Sequence, residues 1–94
     1  MHMNRWRAVS PGQIAWARWN DQFAVYHRPS GKTHFLNAAS VLLIEHILLE
    51  PGDVETAARM LSQHTEGAYC DAAYVRHVAD TIRRLEQIGL LEPA

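Results

Sequence analysis

The feature that most constrains this chain is the tripeptide Pro29-Ser30-Gly31, set between two strand-like runs and followed by an apolar helix signal. Phe23-Ala-Val-Tyr-His27 is rich in aromatic and β-branched residues, and Lys32 to Leu36 returns as a partner strand. Proline fixes φ, and glycine tolerates the left-handed closing position of a tight turn. Asn37 suits a helix N-cap, because its side-chain oxygen can accept a free amide of the first turn. The pattern turns helical and strongly apolar from Ser40, so the stretch from Phe23 to Glu50 predicts strand, turn, strand and helix.

The remaining segments arrange themselves around that unit. Asn4 to Gly12 is mixed, with Trp6 and Val9 as candidate anchors, and Ser10-Pro11-Gly12 breaks any regular element. Gln13 to Trp19 sets Ile14, Trp16 and Arg18 against Ala15, Ala17 and Trp19, the alternation of a strand. Asn20-Asp21-Gln22 reads as the turn that follows. The three strands form a meander in which Lys32 to Leu36 lies at an edge. Helix 1 is expected over Ala38 to Leu49, with Val41, Ile44, Ile47 and Leu48 inward. Asp53 caps a second helix carrying Val54, Ala57, Ala58 and Leu61, and Gly67 breaks it. Asp71 caps a third helix that runs to Ile88 with Val75, Val78, Ala79, Ile82 and Leu85 as its stripe, and Gly89 terminates it. Leu90 and Leu91 fold back.

The predicted fold class is therefore α+β: a winged-helix-like domain with a three-stranded antiparallel meander followed by three helices. The 94 residues make one domain, 1–94, with an ordered core over about 13–92. The composition is 48% hydrophobic and 20% charged, which suits a globular chain and not a disordered one. The net charge of −1 argues against a nucleic-acid partner, since a DNA-binding domain shows a basic excess. Cys70 is the single cysteine, so no internal disulfide and no multi-cysteine zinc site can form. No apolar run approaches the roughly 20 residues of a membrane span, and no signal peptide is visible, so the expected location is cytoplasmic. Met1-His2-Met3 reads partly as a cloning remnant.

The run VYHRPSGKTHFLNAAS, followed by its apolar helix, resembles the PqqD family of peptide chaperones. It is most similar to the branch associated with HPr-kinase-related proteins, which carries a similar hairpin. VADTIRRLEQIGLLEP resembles the family's ending, and the resemblance covers roughly residues 13–92. The quinone-cofactor protein of the family lacks this Ser-Gly-Lys-Thr-His hairpin, so no role in pyrroloquinoline quinone synthesis is implied. The resemblance implies a non-catalytic recognition element for ribosomally made, modified peptides. It would bind the leader of a precursor by strand addition and present the core to a peptide-modifying or kinase-like enzyme. The strand that receives the leader would be Lys32, Thr33, His34, Phe35 and Leu36. The groove beside it would use Tyr74, His77, Val78, Thr81, Arg84 and Leu85. The expected state is a monomer or weak homodimer, with no cofactor, no metal and no membrane partner.

His27 and His34 flank one turn, but a metal site needs three or four ligands and no carboxylate or cysteine lies at a suitable spacing. Glu45-His46 lacks an HExxH surround. Cys70 and His77 lack a third member for nucleophilic catalysis, and no acid–base constellation appears, so an enzyme is not expected. Ser30-Gly31-Lys32-Thr33 matches the end of a phosphate loop, yet no glycine precedes Gly31 at the motif's spacing, and the run sits in a hairpin. Trp6, Trp16 and Trp19 suit core or sheet cover better than a ligand cage. Arg76, Asp80 and Arg84 are spaced to pair along the third helix, or to meet acidic residues of a leader together with His77 and Arg83. At 100° per residue, Tyr74, Thr81 and Ile88 widen the apolar stripe beside Val78 and Leu85, as a groove wall would. The alternative function is a winged-helix DNA-binding or protein-docking domain of a regulatory system. The Asp71-Ala-Ala-Tyr start of helix 3 suits base recognition poorly.

Overall fold

The computed structural model describes residues 4–19 and 22–94. The turn expected at Asn20 and Asp21, the side chain of Trp19 and the reading of Met1 to Met3 lie outside the described residues. Three strands form the predicted antiparallel meander: β2 (Ile14–Trp19), β3 (Gln22–His27) and β4 (Lys32–Leu36), in the order β2-β3-β4. Val25 sits opposite Trp16 on one side and His34 on the other. Gly31 closes the β3–β4 turn at φ +70°, and its amide donates to the His27 carbonyl at 2.8 Å. That conformation strains any residue with a Cβ.

Helix α1 (Ala38–Leu42) starts at Asn37, whose Oδ1 accepts the Ser40 amide at 2.9 Å. The helix does not continue to Leu49 as expected. It passes into a π-helical turn over Leu43–Ile47, where the Leu48 amide donates to the Leu43 carbonyl at 2.8 Å. The wider turn swings Leu43, Ile44, Ile47 and Leu48 inward together. Val41, expected in the core, is only half-buried, and Leu43 is buried in its stead. Helices α2 (Val54–Gln63) and α3 (Ala72–Gln87) begin at the predicted caps. Asp53 accepts the Thr56 amide and Asp71 the Tyr74 amide, each at 2.8 Å. The hydrogen bonds from Thr56 hold the Asp53 carboxyl below its usual range, because they favour its charged form.

One core joins the sheet to all three helices. Ile14 and Val25 come from the sheet, Leu43, Ile44 and Leu48 from the first helical segment, Leu61 from α2, and Val78, Ile82 and Leu85 from α3. Val75 and Ala79 of the expected α3 stripe are half-buried. Trp6 and Trp16 pack against this core, as expected of them.

A second, two-stranded sheet corrects the reading of both ends. The segment at residues 4–12 is not merely irregular: β1 (Trp6–Ala8) pairs antiparallel with β5 (Leu91–Pro93). Trp6 also exchanges backbone hydrogen bonds with Gly52, at 2.9 and 3.0 Å, and Ala8 donates to the Leu48 carbonyl at 2.7 Å. β1 thus ties the α1–α2 connection to the chain's last strand. The Trp6 indole reinforces it by donating to Glu86 of α3 at 2.6 Å. Gly89 ends α3 at φ +84°, and a Cβ there would lie 2.9 Å from His27 Cε1. Both the backbone angle and the contact with β3 require glycine. No helix among the described residues is long and apolar enough to cross a membrane.

Candidate functional site

The site is built where the end of β4 faces α3. β4 is an edge strand, and among the described residues no other strand pairs with its outer side. Alternation puts Lys32, His34 and Leu36 on the core face and Thr33 and Phe35 on the outer face. Phe35 is 54% exposed, unusual for so large an apolar side chain at a sheet edge.

Between β4 and α3 lies a cleft of about 130 Å³. Phe35, Leu36 and the α1 cap residues Asn37 and Ser40 form one wall. His77, Thr81, Arg84 and Leu85 form the other. A shallower hollow of about 370 Å³ shares Phe35, Leu36 and Asn37 and continues past the strand towards Phe23 and Ala38. The helical period explains the α3 wall: residues 77, 81, 84 and 85 fall on one flank, three and four apart. The Thr81 hydroxyl donates to the His77 carbonyl at 3.0 Å, leaving its methyl group for the cleft.

The charge lining this cleft is basic. No carboxylate lines it among the described residues. Asp80 pairs with Arg83 at 3.4 Å, and not with Arg76 or Arg84 as their spacing allowed, so Arg84 has no ion-pair partner among the described residues. His34 lies next along β4. Its Nε2 is buried without a hydrogen-bond partner, although the residue as a whole is half-buried. Burial holds its imidazole below the ordinary range, and the neighbouring charges of His27 and Lys32 lower it further. His34 is therefore neutral at pH 7, and an approaching carboxylate would favour its protonation.

Six of the residues predicted from sequence meet in this cleft: Phe35, Leu36, His77, Thr81, Arg84 and Leu85. Lys32 and Thr33 stand exposed nearer the hairpin turn, and His34 lies between them and the cleft along the strand. Tyr74 packs against the core, half-buried. Val78 is a correction: at 1% exposure it belongs to the core and offers no surface to a ligand. Asn37 and Ser40 were missed as lining residues. The N-cap signal at Asn37 marked a helix start, but only the fold turns that start towards α3. Among the described residues, no three histidine, cysteine or carboxylate side chains gather closely enough to hold a metal ion. Compared with protein-family models, curated proteins and solved structures, the chain matches none.

Proposed function

We propose that this protein is a non-catalytic peptide-binding module that takes an extended, acidic and apolar peptide segment as an added strand on β4. One observation carries the reading: the unpaired edge of β4 runs directly beside a cleft with an apolar floor and a cationic rim. An added strand would satisfy the edge amides and carbonyls, and its alternate side chains would enter the cleft. An apolar side chain would rest on Phe35 and Leu36, above the core residue Leu85, and a carboxylate would meet Arg84 or His77. The resemblance of the hairpin and the last helix to the PqqD family suggests the source of such a peptide. It would be the leader of a ribosomally made precursor, held for a modifying enzyme.

The test is a selection of short displayed peptides on the folded chain, followed by affinity measurement beside duplex DNA at physiological salt. Peptides of apolar and acidic composition should be enriched, and DNA should bind only in the non-specific range of roughly 10⁻⁴–10⁻⁶ M or weaker. A nanomolar, sequence-dependent affinity for duplex DNA with no enriched peptide would favour the regulatory alternative.

A further inference from the structure

The opposite side of the meander carries a second hollow, separate from the cleft at β4. It measures about 280 Å³ and is lined by Val9, Ile14, Trp16, Ile44 and Leu49 together with Glu45. None of these residues touches the β4–α3 cleft. Three observations make the hollow more than a gap in packing. Leu49 is 60% exposed at its wall, a large apolar surface that the core does not use. Ile44 and Glu45 of the lining both belong to the π-helical turn over Leu43–Ile47, and such turns are frequent where a helix serves a site. Glu45 is the single charged group in the lining, is half-buried, and has no ion-pair partner among the described residues. The adjoining strand β2 is also an edge of its sheet.

We propose that this hollow is a second docking site, for a partner protein that presents an apolar side chain beside a lysine or arginine. The chemistry follows from the lining. The apolar walls favour an aliphatic or aromatic side chain, and the lone carboxylate selects a neighbouring cation over an anion. The volume falls just below the ~300–1,000 Å³ of small-molecule pockets and suits one or two inserted side chains. The two sites then differ in sign: the β4 cleft takes acidic segments, and this hollow takes basic ones.

The experiment titrates the full chain with two blocked tripeptides, acetyl-Leu-Lys-Leu-amide and acetyl-Leu-Glu-Leu-amide, and follows its amide signals by NMR. The lysine peptide should shift Ile14, Trp16, Ile44, Glu45 and Leu49 at roughly millimolar concentration, and the glutamate peptide should do so more weakly. Glu45→Gln should weaken the lysine peptide about two- to fivefold and leave the glutamate peptide unchanged or improved. Leu49→Ser, a change at an exposed position, should weaken both. Equal binding of the two peptides, indifference to Glu45→Gln, or shifts confined to the β4 cleft would overturn the proposal. So would sedimentation showing that a second copy of the chain fills the hollow.

Discussion

At the β4 edge the neighbouring cleft carries His77 and Arg84; at the β2 edge the hollow carries Glu45. The same sheet and the same core support both. Local sequence makes the difference: α3 sets His77, Thr81 and Arg84 on the flank that meets β4, whereas the first helical segment brings Glu45 to the other hollow. A sheet whose two edges carry no further strand among the described residues has no intrinsic preference between them. What lies beside each edge decides which ligand is attracted and which is repelled.

The largest expected effect removes what the two edges share. Leu48 is 1% exposed in the core, and Leu48→Ala should cost roughly 2–5 kcal/mol in chemical denaturation, loosening both edges together. A loss below about 1 kcal/mol would mean the site collapses easily and the shared core is less constraining than described.

Thr81→Glu separates the edges. The new carboxylate would enter the β4 cleft, so a selected acidic peptide should bind roughly tenfold or more weakly. The tripeptide shifts at the β2 hollow should not change. Equal loss at both edges would show that they are coupled through the core and are not independent.

A cap remote from both edges gives the control. Asp53→Ala removes the acceptor for the Thr56 amide and should cost about 1 kcal/mol. Binding at either edge should be unchanged while enough protein stays folded. In wild type, the lowered Asp53 carboxyl adds stability above its unfolded pKa, and that contribution is lost as pH falls through the lower folded value.

These caps also mark how far the sequence speaks. Asn37, Asp53 and Asp71 were predicted because a cap is a local bond between a side chain and an amide three residues on. Gly31 and Gly89 were predicted because a left-handed backbone favours one residue type. The pairing of β1 with β5 was not, since Trp6–Ala8 and Leu91–Pro93 are too short to alternate and meet only through the whole fold. The π turn was hidden for another reason. Val41 to Leu49 is apolar at seven of nine positions, so no period could say whether Val41 or Leu43 points inward. In the site, the edge position of β4 is legible from strand order and Thr81 from the helical projection, whereas Tyr74 and Ile88 of the projected flank pack against the core, and Asn37 and Ser40 join the cleft only because the helix start turns towards α3. Val78, expected both in the core stripe and in the groove, lies in the core alone, because the stripe and its flank overlap on a helical projection.

The smallest expected effect lies at the β4 edge alone. The His34 imidazole titrates below its ordinary value when folded, so the unfolded chain takes up the proton first as pH falls. Stability from this group is full above about pH 6.5, declines below it, and stops declining once the folded imidazole also protonates. His34→Gln should flatten that part of the stability profile, and a profile unchanged by the substitution would contradict the buried state of Nε2.

The most direct measurement of the central claim is an NMR titration of the full chain with a peptide from the display selection, joined to amide hydrogen exchange. Strand addition on β4 predicts amide shifts over Lys32–Leu36 and along His77, Thr81 and Arg84, with new exchange protection at alternate β4 amides. Shifts confined to Ile14–Trp19 and Val54–Gln63, with β4 and α3 silent, would contradict it even if the peptide bound tightly.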